Sequence, residues 1–298
     1  MLIRVLLLLA VSASSSIVTA QSSIVGALED LPPRISGNQN RRAVRILFEK
    51  KGSAWEAFPS DCQTQECLSS VSAKYPREIV WTVAFDGKSL GQLTAVTPSE
   101  FHYYAGVGLQ EITSPGVVPV VGTRSREFGG YTEAPVYRPL VTNSKPFVTD
   151  PDSWKRTQLS ASALHDVRLQ FRRHFGKLCQ LGEDQTTMKP LPYRDDKVGI
   201  VQAYSSKTGW AVARLRLDHA VDCRDTEAGF EIDDSWFVID PQQNIRHLDD
   251  GLWLVDAGDY DNDGQSELVF SINRDDQGGY EMFYDHFKKH AVFEYNYH

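Results

Sequence analysis

Past residue 20 the chain has no apolar run long enough to cross a bilayer, so no membrane span is expected in the mature part. It also lacks a basic excess. Its 31 Lys and Arg stand against 39 Asp and Glu, a net charge of −8, which argues against a nucleic-acid binder. No Ser sits in a G-x-S-x-G elbow, and no G-x-x-x-x-G-K-[ST] phosphate loop occurs. Cysteine is scarce, with 4 in the chain. The spacing Cys62-x-x-x-x-Cys67 is wrong for a C-x-x-C redox motif, and no histidine cluster follows to complete a zinc site. His286-Phe-Lys-Lys-His290 has the i, i+4 spacing of helical zinc ligands, but it lacks the Glu of H-E-x-x-H and falls at an expected hairpin turn.

What is present at the start reads as an export signal. Arg4 precedes the apolar run from Val5 to Val11, and Val18-Thr19-Ala20 offers small residues for cleavage before Gln21. Residues 1–20 are therefore expected to be a signal peptide, residues 21–42 a linker marked by Pro32-Pro33 and Gly37, and residues 43–298 the folded body. The expected location is secreted or periplasmic. In an exported chain the four cysteines should form two disulfides. Of three connectivities, the local-plus-distant one, Cys62–Cys67 with Cys179–Cys223, is favoured.

Most of the body carries β signals. Ile79 to Phe85 runs into Asp86-Gly87, a strong hairpin signal because a type I′ turn needs positive φ at both central residues. Further hairpins are expected at Lys51-Gly52, Ser205–Gly209, Asp240-Pro241 and Asp285. A strand is expected over 117–121. One segment breaks the pattern. Leu164, Val167, Phe171, Phe175 and Leu178 recur at three- and four-residue steps, so Ser160 to Leu178 reads as a helix capped by Ser160 or Ser162. The Arg and Lys residues around its other faces read as a solvated surface.

The most informative stretch is Asp259-Tyr-Asp261-Asn-Asp263-Gly264-Gln265-Ser-Glu267, followed by Leu268-Val269-Phe270. Four carboxylates surround one glycine directly before an apolar strand. Hard cations such as Ca²⁺ take six to eight oxygen ligands in flexible geometry. The candidate ligands are Asp259, Asp261, Asp263, the Gln265 carbonyl and Glu267. Ca²⁺ is favoured over Mg²⁺ by the many charged oxygens, and over Zn²⁺ by the lack of His or Cys in the loop. Asp256, three residues earlier, can support the loop from behind. An EF-hand is excluded, since position twelve is Phe270 and the flanks are strand-like. The competing reading is an acidic solvated turn without metal.

Asp259 through Val269 matches D-x-(D/N)-x-D-G-x-x-(D/E)-L-hydrophobic, with Glu where Asp is commoner at the last ligand. In this the chain resembles the FG-GAP/VCBS repeat family, known from integrin-type β-propellers and many bacterial secreted proteins. The resemblance covers one motif and the blade around it. It implies a mainly β, propeller-like fold of about five to seven blades, not all complete, with one helical insert near 160–180. It also places the acidic loop between the first two strands of a unit running from Trp253 to His298. Asp240 and Asp285, both at hairpin corners, lie 45 residues apart, the length of one such unit. The function implied is a Ca²⁺-binding exported module that recognises a protein or polysaccharide ligand. The alternative is a secreted carbohydrate-active enzyme, hydrolase or lyase, on the same scaffold. Asp233-Asp234 and Asp249-Asp250 are paired acids of the kind such an enzyme uses, although turn acids are commoner.

Overall fold

The computed structural model describes residues 22–30, 42–60, 62, 64–99, 101, 106–114, 127–128, 131–132, 140–143, 149–182, 187–223, 235–274 and 277–296. The expected signal peptide, the strand over 117–121 and the Asp233-Asp234 pair lie outside them. Within them the protein is mainly β, built from antiparallel sheets.

The amino-terminal part contributes β1 (Ile24–Asp30), β2 (Arg42–Lys51), β3 (Ala54–Ala57), helix α1 (Gln65–Ser72), β4 (Glu78–Phe85), β5 (Lys88–Val96) and β6 (Leu109–Ile112). A small separate ladder of β7 (Glu127–Phe128) and β8 (Tyr131–Thr132) precedes β9 (Leu140–Thr142). These strands, apart from that ladder, form one sheet in the order β1-β9-β4-β5-β6-β2-β3, and a further β1–β2 ladder returns the sheet on itself. The Asp86-Gly87 turn joins β4 to β5 as expected, with φ of 52° and 64°.

One sequence expectation is corrected here, and one element had no expectation attached to it. Ile24–Asp30, placed in the linker by the composition of 21–42, is a strand hydrogen-bonded to β2 and β9. Its Val25 and Ala27 are fully buried. The Pro, Gly and Asn that mark the linker all follow residue 30, so a short apolar strand was averaged into its polar neighbours. Helix α1 carries no periodic signal strong enough to read in 8 residues. It is started by Thr64, whose hydroxyl accepts from the Cys67 amide at 3.2 Å.

The middle part holds β10 (Lys155–Arg156), helix α2 (Ala161–Phe175), β11 (Leu178–Leu181), β12 (Met188–Pro190), β13 (Gly199–Ser205), β14 (Ala211–Arg216), β15 (Val221–Asp222), β16 (Ser235–Ile239) and β17 (Ile245–Asp250). A five-stranded sheet runs β10-β13-β14-β16-β17, and β12-β11-β15 form a smaller one. Helix α2 is capped by Ser160, whose Oγ accepts from the Ala163 amide at 3.2 Å. It lays Val167, Phe171 and Phe175 on Ala213, Leu215 and Phe237. Gly176, at φ 67°, ends it, so Leu178 opens β11 instead of closing the helix.

Both expected disulfides form, Cys62–Cys67 and Cys179–Cys223. The second spans 44 residues and ties the strand after α2 to β15. Replacing Cys179 and Cys223 by Ala is expected to cost roughly 2–4 kcal/mol by the chain-entropy argument. A urea midpoint unchanged within error would contradict that.

The last sheet is a simple meander of β18 (Leu252–Gly258), β19 (Glu267–Arg274), β20 (Gln277–Tyr284) and β21 (Lys289–Asn296). Successive side chains on a strand point to opposite faces. Val269, Tyr280, Met282 and Phe293 join the core of the amino-terminal sheet, whereas Leu268, Phe270, Ile272 and Phe283 join Trp236 and Val238 of the middle sheet. This sheet is thus buried on both faces, which is why β19 reads as an almost unbroken apolar run. No helix of the described residues is long and apolar enough to cross a membrane.

Candidate metal centre

The acidic loop joins β18 to β19, and the ladder closes at the Gly258–Glu267 pair. Tyr260, fully buried, anchors the loop in the amino-terminal core, and its carbonyl accepts from Thr142 Oγ1 at 3.2 Å. The turn is made by positive φ at Asn262 (61°) and Gly264 (88°). Asp259 organises the interior. Its Oδ1 accepts from the Asp263 amide at 3.0 Å and its Oδ2 from the Gly264 amide at 2.9 Å. Asp261 Oδ1 also accepts from the Asp263 amide, at 3.2 Å, and Asp263 Oδ1 from the Gln265 amide at 2.9 Å. Such short-range side-chain bonds to backbone amides are what let aspartates hold a tight loop.

Of the four expected carboxylate ligands, the structure brings together three. Carboxylate oxygens of Asp259, Asp261 and Glu267 lie within 4.8 Å of one another. Asp263 stands outside that group, and it lines a cleft of about 450 Å³ with Asp261, Gln265 and Glu267. Glu267 is 2 % exposed, and both of its oxygens are engaged. Oε2 accepts from the Tyr260 amide at 2.9 Å and Oε1 from Trp55 Nε1 at 3.3 Å. Burial pushes its carboxyl well above the ordinary range, and the Asp261 charge adds to that. Burial likewise raises Asp259. The donors are all hard oxygens, three of them crowded and partly desolvated, which suits a Ca²⁺ ion.

Residues far away in sequence complete the centre. Lys50, at the end of β2, puts Nζ 2.5 Å from Asp261 Oδ2 and lies over the rings of Trp55 and Tyr284. The segment before β10 clamps the loop from behind. Thr149 accepts from the Asp259 amide at 2.7 Å, and Asp152 Oδ2 accepts from the Ser266 amide at 3.1 Å. Ser266 Oγ donates to Asp150 Oδ1 at 2.6 Å. Asp256 does support the loop region, though by holding a hairpin tip. Its two oxygens accept from the Asp86 amide at 3.2 and 3.1 Å. Burial raises its carboxyl to about 7, and the charges of Asp86 and Asp150 act in the same direction. None of these partners could be read from local spacing, because each comes from another strand or loop.

The other sequence candidates resolve differently. His286 stacks on Trp210 at 5.6 Å, and His290 Nδ1 lies 2.5 Å from Glu281 Oε1. Neither joins a metal-capable group among the described residues. Asp249 pairs with Arg274 at 2.5 Å and Asp250 with His247 at 2.9 Å. No protein-family model, curated protein or solved structure matches the chain.

Proposed function

We propose that this chain is an exported β protein whose Asp259–Glu267 loop is of FG-GAP/VCBS type and binds Ca²⁺. The observation that carries the reading is the convergence of Asp259, Asp261 and Glu267 at a tight hairpin, with Asp261 and Glu267 lining a cleft open to solvent. Of the propeller expected from the resemblance, the proposal keeps one blade-like unit, the meander of β18–β21, with the loop between its first two strands. The ion would neutralise charges that the fold crowds together. It would thereby lock the last sheet between the two cores that it touches. The two disulfides suit an oxidising, extracytoplasmic setting. The role is that of a binding or structural module for a protein or polysaccharide, with Ca²⁺ affinity of about 10⁻⁵ to 10⁻³ M, the range of extracellular modules and weaker sensors.

The test is thermal. Ca²⁺ at about a hundred times its dissociation constant should add about 2.7 kcal/mol, a rise of roughly 5–10 °C for a chain of this size. Asp261→Asn keeps an acceptor for the Asp263 amide and removes one charged ligand, so the rise should disappear. No rise at about 0.1 M Ca²⁺, a hundred times the weakest of these dissociation constants, or an equal rise in the variant, would sink the assignment.

The second reading, a carbohydrate-active enzyme, draws on the Glu281 carboxyl. Burial raises it to about 7, and the Asp249 charge opposes its ionisation. A raised acid with a second carboxyl nearby is a feature of glycoside hydrolysis, although Asp249 is within hydrogen-bonding reach of Glu281, closer than the separation of about 5–9.5 Å that such a pair needs. Glu281 is only 2 % exposed, however, which leaves a sugar little access. The binding reading is therefore preferred.

A further inference from the structure

The geometry points to a second metal site, remote in sequence from the acidic loop and of different chemistry. We propose that His174, His247 and Asp250 bind a transition ion such as Zn²⁺. One donor atom from each of the three lies within 4.8 Å of the other two. His247 Nε2 is already 2.9 Å from Asp250 Oδ1. The His174 and His247 rings are stacked with centroids 3.8 Å apart and planes 22° from parallel. Zinc bonds of about 2.0–2.1 Å in a tetrahedron place neighbouring ligand atoms about 3.4 Å apart. An imidazole lone pair lies in its ring plane, so His174, which is exposed, would turn out of the stack to face an ion shared with His247.

The three side chains stand on regular elements held against each other. His174 is in the last turn of α2, and His247 and Asp250 are on β17. Both imidazoles meet the same aromatic wall. Phe175 lies 4.7 Å from His174 and 6.2 Å from His247, and Phe237 lies 5.3 Å from His247. Asp250 is supported from behind. Its amide donates to Asp249 Oδ1 at 2.7 Å, and its carbonyl accepts from Arg274 Nε at 3.3 Å. These contacts fix the backbone that carries the Asp250 carboxylate.

Two physical features favour a cation here. The carboxyl end of a helix carries partial negative charge, and α2 ends one residue after His174. Two imidazoles with one carboxylate form a borderline-soft donor set, preferred by Zn²⁺ or Cu²⁺ over Ca²⁺. Three protein ligands with one solvent-facing side leave a fourth position for water or a ligand atom, the arrangement of sites that do more than hold a fold together. The ordinary alternative is a His247–Asp250 ion pair with a second imidazole stacked on it and no metal.

Isothermal titration of Zn²⁺ into the metal-free full chain, with Ca²⁺ then present throughout, separates these. The expected result is one Zn²⁺ per chain at micromolar affinity or tighter. His174→Gln and Asp250→Asn should each weaken it by at least about tenfold, the least that even losing a supporting contact costs. Asp261→Asn, which disables the acidic loop, should leave it unchanged. Because His174 is exposed, its variant should fold, and an unchanged near-ultraviolet spectrum would verify this. Co²⁺ gives a second reading through visible bands that should vanish in His174→Gln. The proposal is overturned by absence of binding, by binding that survives His174→Gln, or by binding lost with Asp261→Asn.

Discussion

In the presence of a chelator, the protein should melt at a lower temperature at pH 8 than at pH 5, by roughly 5–10 °C. The cause is a set of enclosed carboxyls. Asp256 and Glu281 are each raised to about 7 by burial, and Asp150, Asp259 and Glu267 are raised in the same direction. In the unfolded chain such groups ionise near pH 4. Between about pH 4 and pH 7 the folded state therefore holds more protons than the unfolded one. Stability then falls as pH rises. The contribution is complete below about pH 4 and is lost as the pH passes through 7. Moving one carboxyl from about 4 to about 7 corresponds to on the order of 4 kcal/mol. Asp256 keeps some contact with solvent, so on the order of 2 kcal/mol is the safer figure for it. At a few degrees per kcal/mol for a chain of this size, Asp256 with a contribution from Glu281 gives the stated drop.

Asp256→Asn isolates the cause. The amide oxygen can still accept from the Asp86 amide, while the charge that the hairpin tip encloses is gone. The variant should be flatter in its pH profile and more stable than the parent at pH 8. Calorimetry from pH 5 to pH 8 measures both. A parent profile that is flat or rises with pH would refute this account of the enclosed carboxyls. Under the proposed function, Ca²⁺ should also flatten the parent profile, because it neutralises Asp259 and Glu267 without a proton.

Replacing Lys50 by Met should change two properties in opposite directions. Without metal, the ammonium is the counter-charge to Asp261, and the two side chains are only 16 % and 6 % exposed. Removing one member of a mostly buried pair leaves an uncompensated charge. The metal-free variant should lose on the order of 2–4 kcal/mol. With metal, the same ammonium repels the ion. Unit charges at about 4 Å interact by about 4 kcal/mol at an effective dielectric of 20. Relief of even a third of that makes Ca²⁺ bind about tenfold tighter. Lys50→Met should therefore start less stable and gain more from Ca²⁺ than the parent. Equal or weaker Ca²⁺ affinity in the variant would mean that Lys50 does not face the ion.

The parts of this fold that were legible beforehand share one property. The Asp86-Gly87 turn, the Ser160 cap, the Lys51-Gly52 and Asp285 hairpins and the acidic loop each depend on residues a few positions apart. Backbone sterics and side-chain bonds to nearby amides decide them. Sequence also favoured the Cys179–Cys223 pairing without excluding the other two. The strand Ile24–Asp30 was not legible, because its burial comes from β2 and β9, which pair with it across the fold. The Asp249-Asp250 pair offered two acids of the kind a glycosidase uses, with turn acids the commoner reading. In the structure they part company, one toward Arg274 and the other toward His247.

The sequence by itself determined that this is a mainly β chain with one long helix, and that an acidic loop stands between two strands near its carboxyl end. Only the tertiary structure decided what surrounds that loop. Lys50 and Trp55 of the β2–β3 hairpin and the 149–152 segment converge on it from two distant parts of the chain, while the Asp86 hairpin bonds Asp256 in the strand before it. His174 meets His247 because α2 packs on the middle sheet through Phe171 and Phe237. The physical reason is the same in each case. A local motif specifies its own backbone, but the charge, burial and solvent access of its side chains belong to whatever long-range packing brings against it.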